Sequence, residues 1–287
     1  MLRIGAHKSS AGGYTTGVNE VHEIGGNCLQ IFSSPPRNWK PGTPTDDDKK
    51  TFLDLRQQYD VDPVYFHASY MINLAGSPEN REKSINALIA ELRIASAFQV
   101  RGSVIHLGSF KNGKKEANED GLLAEESEYE VLFDSIRQVL AETPNDTLFI
   151  IENMGMRKIG MSIEEIGFIV QNINSPRVRV CLDTCHLHAA GYDISTPKLL
   201  ESFLDRFDKL VGLKLLELWH VNDSRDTFGA LRDRHENIGE GSVGDGVFKA
   251  LIANNRVNDR PFICEAPGFD GSGPDKENLD RFRAFSR

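Results

Sequence analysis

Eight short apolar runs recur at wide intervals along this chain, and their spacing constrains the fold more than any other feature. The runs are nearly continuous rather than alternating, which is typical of parallel strands buried on both faces. The stretches between them are amphipathic, and helix-start signals such as Ser77 before Pro78 and Thr196 before Pro197 precede some of them. The runs are residues 2–7, 27–32, 64–69, 103–108, 148–153, 178–183, 215–223 and 261–266.

The regular alternation of apolar runs and helical segments predicts the architecture of the chain. Strands that alternate with helices, without a Pro- or Gly-rich linker or a break in composition, are typical of one closed α/β barrel. We therefore expect a single (β/α)8 TIM barrel domain over residues 1–287, and we expect Ser162 and Glu165 to form a capping box at one of its helices. An open, doubly wound parallel sheet is the alternative that the same pattern allows.

Positive charge is concentrated in four windows of a chain whose formal net charge is −9. Residues 8–17, 33–42, 107–115 and 154–161 contain no aspartate or glutamate. If these windows share one face, that face suits a polyanion even though the whole chain is acidic. Scattered, solvated side chains are the alternative interpretation. The basic residues in the windows are Lys8, Arg37, Lys40, Lys111, Lys114, Lys115, Arg157 and Lys158.

The start of the chain and its cysteines bear on the cellular compartment. The first ten residues lack the apolar core of a signal peptide, and no apolar run approaches the roughly 18 residues of a membrane span. Well-separated cysteines in a cytosolic protein are most simply buried, reduced thiols. We therefore expect a cytoplasmic protein without a membrane partner. Separately, we expect a monomer. The four cysteines are Cys28, Cys181, Cys185 and Cys264.

Imidazole and carboxylate side chains gather at the predicted carboxyl ends of the strands, where a barrel keeps its active site. Unpaired buried charges are costly, so bound cations are the simplest explanation for many such groups on one rim. Imidazole and carboxylate ligands without thiolate suit zinc, manganese or iron better than magnesium. The groups at these ends are His7, His67, His106, Glu152, Asp183, His220 and Glu265.

Two local patterns place further candidate ligands beside this rim. His186 follows Asp183 by three residues, so the two side chains can face one cavity. Asp233 and His235 are separated by one residue, which puts both side chains on the same side of an extended segment, where they can chelate one ion. For the remaining histidines, His22 and His188, we expect solvent exposure or packing instead.

Six segments, in this order along the chain, resemble the motifs of the endonuclease IV family of apurinic/apyrimidinic (AP) endonucleases. They are GAHKSSAGG (5–13), HASYMINLA (67–75), IENMG (151–155), CLDTCHLHAAGYD (181–193), HVNDSRDTFGALRDRHENIGEG (220–241) and ICEAP (263–267). The resemblance implies a DNA repair endonuclease with a (β/α)8 barrel and a trinuclear zinc centre. Such an enzyme hydrolyses duplex DNA on the 5′ side of abasic sites in base excision repair, leaving 3′-hydroxyl and 5′-deoxyribose phosphate ends.

The resemblance also implies, residue by residue, which side chains hold the three Zn²⁺ ions. Glu152, as a bridge between two ions, and Glu265, as the ligand that orients the attacking water, are the implied catalytic residues. The first implied group is His67, His106 and Glu152; the second shares Glu152 and adds Asp183, His220 and Glu265; the third is His186, Asp233 and His235.

Recognition of an abasic sugar requires side chains that wedge into the base stack. The resemblance implies Arg37, after the second run, with Tyr70 and Met71, after the third. Packing on the barrel rim is the alternative for Tyr70 and Met71. The chain departs from the family at Met71, where leucine is common, and at Ala266, where threonine is common.

Two other functions compete with DNA cleavage. A divalent-metal sugar isomerase on the same barrel would use two metal ions and an open-chain sugar, which leaves Asp233 and His235 without a role and the basic windows unexplained. A catalytically silent protein that binds lesions or holds metal would keep the ligand set without turnover.

Overall fold

Eight parallel strands close into a barrel in the part of the chain that the computed structural model describes, which is residues 2–35, 38–39, 42–110 and 117–286. Each of the eight apolar runs overlaps one barrel strand, so the expected (β/α)8 barrel is confirmed. The strands are β1 (Ile4–Lys8), β2 (Leu29–Phe32), β3 (Val64–His67), β4 (Gly102–Ile105), β5 (Leu148–Glu152), β6 (Val178–Asp183), β7 (Leu216–His220) and β10 (Phe262–Cys264). Two further strands, β8 (Asp223–Ser224) and β9 (His235–Glu236), form a small antiparallel pair after β7.

Strand pairing closes the barrel without a free edge. β1 pairs in parallel with β2 on one side and with β10 on the other, with Ala6 opposite Leu29 and Cys264. The open doubly wound sheet is therefore wrong for this chain. The expectation that residues 1–287 form one domain stays a prediction.

Helices cover the outside of the barrel. None of those described is long and apolar enough to cross a membrane. The helices are α1 (Tyr14–Glu23), α2 (Asp46–Tyr59), α3 (Pro78–Ala97), α4 (Tyr129–Ala141), α5 (Ile163–Ile173), α6 (Thr184–Ala190), α7 (Pro197–Leu210), α8 (Asp245–Ala253) and α9 (Lys276–Ala284).

The helix-start signals act largely as the sequence predicts. Ser77 and Thr196 cap α3 and α7, each side chain accepting a hydrogen bond from a backbone N–H of the first turn. Ser162 caps α5 in the same way, through the N–H of Glu165. The predicted capping box is incomplete, however, because the Glu165 carboxylate instead accepts hydrogen bonds from the N–H of Gly160 and the hydroxyl of Tyr129.

Glu165 makes a testable contribution to the pH dependence of stability. Burial raises its pKa from 4.5 to about 7, so the folded chain keeps a proton that the unfolded chain releases. The stabilisation that protonated Glu165 contributes is therefore fully present below about pH 4.5. This contribution is lost as the pH rises from 4.5 through 7. Between pH 5 and 8, the free energy of unfolding should therefore decrease by roughly 2 kcal/mol less in Glu165→Gln than in the wild type. Urea denaturation at the two pH values measures this difference. Coincident pH profiles for Glu165→Gln, the wild type and the surface control Glu130→Gln would contradict this.

The core lies in two layers separated by the sheet. One layer fills the barrel, and the other packs the opposite face of the strands against the helices. All four cysteines are buried and free, as predicted, and burial raises the pKa of Cys181 and Cys264 to about 12. The side chains that fill the barrel are Cys28, Tyr65, Val104, Leu148, Ile150, Cys181, Leu218 and Ile263.

Candidate metal centre

The carboxyl ends of the barrel strands place the predicted imidazole and carboxylate groups around one point. His67, Glu152 and His220 are the last residues of β3, β5 and β7. His106 and Glu265 follow β4 and β10 by one residue. A cavity of about 290 Å³ opens among these strand ends. Its lining residues are His67, Tyr70, His106, Glu152, His186, Asp233, His235 and Glu265.

Asp183 and His186 come together because a strand ends where a helix begins. Asp183 is the last residue of β6 and the N-cap of α6, and its Oδ1 accepts a hydrogen bond from the backbone N–H of His186 at 2.9 Å. Capping fixes the first turn of α6, so the His186 imidazole is directed toward Glu152, with Nδ1 3.3 Å from Glu152 Oε1.

Glu152 lies at the centre of the cluster, with its two oxygens facing different histidines. Its Oε2 is 3.2 Å from His67 Nε2 and 2.7 Å from His106 Nε2. Its Oε1 is 3.0 Å from His220 Nδ1. One carboxylate thus belongs to two groups of candidate ligands, which is the arrangement that a bridge between two ions requires.

The second group surrounds His220 with carboxylates. His220 Nδ1 is 3.1 Å from Glu265 Oε2 and 3.8 Å from Asp183 Oδ2. Within this group, and likewise within the first group, the ligand atoms all lie within 4.8 Å of one another. The first group is His67, His106 and Glu152, and the second is Glu152, Asp183, His220 and Glu265.

The third group gathers around Asp233. Its Oδ1 lies 3.0 Å from His186 Nε2 and 3.4 Å from His235 Nε2, so the three residues expected to share an ion are in contact. Asp183 Oδ2 also lies 3.6 Å from His235 Nε2, which makes Asp183 a neighbour of this group as well. Cys185 is nearby too and forms a further candidate group with Asp233 and His235, and burial raises the pKa of its thiol to about 12.

Three of the histidines are arranged as metal ligands usually are, with one ring nitrogen fixed by a protein acceptor and the other directed into the cluster. The Nδ1 of His67 and of His186 each lie 2.8 Å from a backbone carbonyl, and His220 Nε2 lies 2.9 Å from Gln30 Oε1. The buried Nε2 atoms of His186 and His235 have no hydrogen-bond partner among the described residues. Because these nitrogens face carboxylates without a hydrogen bond, the donor set fits bound divalent cations.

Electrostatics keep the central carboxylates ionised. Burial alone would raise the pKa of Glu152, but His106 and His220 outweigh it and hold that pKa well below 4.5. Burial likewise opposes ionisation of Glu265, yet His220 holds its pKa well below 4.5. Both carboxylates are therefore anionic at neutral pH, the state in which they bind cations.

Three buried amides support the cluster, and the sequence analysis did not identify them. Gln30 Nε2 donates to Glu265 Oε1 at 2.6 Å. Asn222 links two candidate ligands, since its Nδ2 donates to Asp183 Oδ2 at 2.6 Å and its Oδ1 accepts from the Glu265 N–H at 2.7 Å. Asn153 Oδ1 accepts from the Asp183 N–H at 2.6 Å. Asn153 and Asn222 lie within two of the segments that resemble the family motifs, whereas the sequence signal for Gln30 is only an amide in an otherwise apolar run.

His7, His22 and His188 are the three histidines outside the candidate ligand set. His7, noted at the end of the first run, lies beside the cluster, with Nδ1 3.0 Å from Glu265 Oε1. His188 was expected to be exposed or packed, and it is buried, with Nε2 3.2 Å from the carbonyl oxygen of Asp226. His22 stacks on Tyr59 with ring centroids 3.9 Å apart, which confirms packing.

The candidate DNA-contacting residues are only partly described. Tyr70 is 62% exposed at the rim of the cavity, and its ring centroid lies 5.5 Å from those of both Phe32 and His67. Met71 is half-buried beside it. Arg37 lies outside the described residues, as do Lys40, Lys111, Lys114 and Lys115 of the basic windows. Of the other window residues, Lys8 ends β1, while Arg157 and Lys158 lie in the loop after β5, all at the carboxyl end of the barrel.

Known proteins resemble this chain over nearly its whole length. A family model described as a xylose isomerase-like TIM barrel matches residues 18–285. The probable endonuclease 4 of Thermosipho melanesiensis is 35% identical over 274 residues, covering 93% of each chain. The probable endonuclease 4 of Persephonella marina is 33% identical over 291 residues, covering 100% of this chain and 98% of the relative.

Solved structures agree with the sequence matches. The crystal structure of endonuclease IV from Thermus thermophilus superposes with a TM-score of 0.83 at 31% identity, covering 99% of this chain and 98% of that one. A D-tagatose 3-epimerase-like protein superposes with a TM-score of 0.69 at 18% identity over 98% of each chain, and this likeness extends to the fold alone.

Proposed function

The chain belongs to the endonuclease IV family of xylose isomerase-like barrels, and from this premise we propose that it is a DNA repair endonuclease. Its substrate is duplex DNA that contains an abasic site, and its reaction is hydrolysis of the phosphodiester on the 5′ side of that site. The products are a 3′-hydroxyl and a 5′-deoxyribose phosphate. The earlier expectations of a monomer and of a cytoplasmic location stay predictions.

One observation carries the proposal: two groups of imidazole and carboxylate side chains share Glu152, and beside them Asp233 contacts both His186 and His235, all next to the exposed ring of Tyr70. A sugar isomerase with two metal ions would not require the third group, in which Asp233 contacts both His186 and His235. We infer three Zn²⁺ ions per chain, held as the family motifs imply. Zinc in such groups lowers the pKa of water toward 7 and neutralises charge on phosphate oxygens.

The chain's own residues have distinct tasks in this reaction. Glu152 joins the first two groups, because Oε2 faces His67 and His106 while Oε1 faces His220. Glu265 is held on Oε1 by Gln30, while its Oε2 faces His220 Nδ1 at 3.1 Å, on the side where it would orient the attacking water. Asp233 contacts His186 and so holds the third group together. An ion bound by this group would stabilise leaving-group or phosphate oxygens.

A cleavage assay tests the proposal directly. A labelled duplex with a single tetrahydrofuran abasic analogue is incubated with the protein, with and without a chelator, and the products are separated on a denaturing gel. We expect one cut on the 5′ side of the analogue, a ligatable 3′-hydroxyl, no cut in the matched intact duplex and no cut with chelator. Absence of cleavage by zinc-loaded, folded protein would refute the proposed activity.

The division of ligands predicts that Asp233→Ala removes one ion and leaves two. Asp233 belongs only to the third group, and its side chain is 23% exposed, so its loss should not disturb the groups around Glu152. Elemental analysis after removal of free metal is expected to give close to three ions per wild-type chain and close to two per variant chain. Asp245→Asn, in α8 beside Lys249, is the matched control. Loss of all three ions in Asp233→Ala would show that the groups do not load separately.

A wedge function for Tyr70 predicts a selective loss of binding. We expect Tyr70→Ala to weaken binding to abasic duplex by roughly 1 to 3 kcal/mol through lost stacking, with little effect on intact duplex or on salt dependence. Met71→Leu, which conserves apolar volume, should be nearly neutral. Fluorescence anisotropy at two salt concentrations measures both. Equal weakening on the two duplexes would indicate that Tyr70 only packs on the rim.

A further inference from the structure

Asp226, in the loop between β8 and β9, is nearly buried and paired with an arginine from the segment that carries the third ligand group. Asp226 is 8% exposed. Its Oδ2 accepts a hydrogen bond from Arg234 Nε at 2.7 Å, and its Oδ1 accepts one from Arg234 Nη2. Arg232 Nη1 lies 3.6 Å from the same Oδ1. One carboxylate therefore holds both residues that flank Asp233, and the two-point contact with Arg234 fixes the plane of its guanidinium.

The position of Arg234 determines where its two neighbours point. In an extended segment, successive side chains alternate in direction, so Arg234 points away from the side to which Asp233 and His235 point. The contacts show this directly, since Arg234 reaches Asp226 while Asp233 reaches His186 at 3.0 Å. The backbone is held as well, because the Arg225 N–H donates to the Arg234 carbonyl at 3.0 Å.

Asp226 is also attached to the helix that supplies the remaining member of the third group. Its backbone carbonyl lies 3.2 Å from His188 Nε2 and accepts a hydrogen bond from Ser242 Oγ. His188 lies in α6, two residues after His186. The same residue thus binds the segment with Asp233 and His235 through its side chain and binds the helix with His186 through its backbone.

We propose that Asp226 is a positioning residue that sets the geometry of the third metal site by clamping Arg234. The proposal rests on the proposed trinuclear centre. Without the contact between Asp226 and Arg234, the segment with Asp233 and His235 would become ordered only when the ion binds. The conformational entropy lost in that ordering would weaken ion binding. With that contact, Asp233 already lies 3.0 Å from His186 and 3.4 Å from His235, the other two members of the group.

The test measures the affinity of each ion rather than turnover. Competition with a chromogenic zinc chelator is performed on the wild type, Asp226→Asn and Arg234→Gln. We expect one ion to bind about tenfold or more weakly in both variants and the other two to be unchanged. Arg234→Lys, which keeps the charge but loses the two-point contact, should be intermediate. Arg225→Gln breaks the neighbouring ion pair with Glu236 and is the control expected to resemble the wild type.

A double variant assigns the weakened ion. Adding Asp226→Asn to Asp233→Ala should leave the affinities of the two remaining ions unchanged, because the site that Asp226 serves is already lost. Equal weakening of all three ions, or a lowered melting temperature of metal-free Arg234→Gln with unchanged affinities, would mean that the pair is only structural and would overturn the proposal. Wild-type protein that binds fewer than three ions would instead refute the trinuclear centre, and the positioning role with it.

Discussion

Glu265→Gln is expected to lower the single-turnover rate of cleavage by about a thousandfold or more, equivalent to about 4 kcal/mol of transition-state stabilisation. The carboxylate is partly buried, accepts a hydrogen bond from Gln30 Nε2 on Oε1 and faces His220 Nδ1 with Oε2 at 3.1 Å. Glutamine keeps the shape but has one acceptor oxygen and no charge. It must therefore lose either the contact with Gln30 or the oxygen that serves the second ion and the attacking water.

Binding to abasic duplex should survive this substitution, because Glu265 is not among the residues expected to enter the base stack. Glu217→Gln is the matched control, since Glu217 and Glu265 have the same side-chain exposure of 12%. Glu217 lies near the start of β7, where it contacts Arg101 and Tyr65 at the opposite end of the barrel. A rate loss of less than tenfold in Glu265→Gln, or an equal loss in Glu217→Gln, would show that Glu265 is peripheral to the chemistry.

Removal of the metal ions is expected to lower the melting temperature by roughly 8 °C or more. Glu152, Asp183 and His220 are essentially inaccessible to solvent, so bound cations compensate charges that water cannot reach. An ion present at a thousand times its dissociation constant stabilises the fold by about 4 kcal/mol, and each kcal/mol shifts the midpoint by about 2 °C in a chain of this size.

Differential scanning calorimetry before and after chelation measures this effect. Zn²⁺ should restore the original midpoint, whereas the same concentration of Mg²⁺ should not, because imidazole-rich sites disfavour magnesium. Asp233→Ala should show a smaller fall than the wild type, since it begins with one ion fewer. An unchanged midpoint after complete removal of metal would contradict a buried metal centre.

Much of the fold could be predicted from local pattern. Near-continuous apolar runs at regular spacing can be buried only between two layers, and their alternation with amphipathic segments leaves few topologies. The pattern could not distinguish a closed barrel from an open sheet, because closure depends on the pairing of β1 with β10, which lie more than 250 residues apart. Glu165 was misassigned for a related reason, since its partner Tyr129 comes from another helix.

The candidate ligands were predictable because metal binding demands particular side chains at strand ends. The grouping of these ligands into separate sites was less predictable. Asp183 lies within 3.8 Å of His220 and 3.6 Å of His235, which places it between the second and third groups, and no spacing in the sequence indicates this. The role of Gln30 was equally hidden, because a single amide in an apolar run has no periodic or motif signal.

The sequence by itself determined the residue types that can hold divalent cations, the strand ends on which most of them lie, and the family to which the chain belongs. These are properties of short segments, in which strand period, caps and motif spacing act over a few residues. The tertiary structure decided which candidate ligands lie together, which ring nitrogen of His67, His186 and His220 faces a protein acceptor outside the cluster, and which carboxylate contacts Arg234 between Asp233 and His235. Those depend on distances of 3 to 4 Å between segments far apart in the chain, and hydrogen-bond and Coulomb energies at such distances exist only after the barrel has closed.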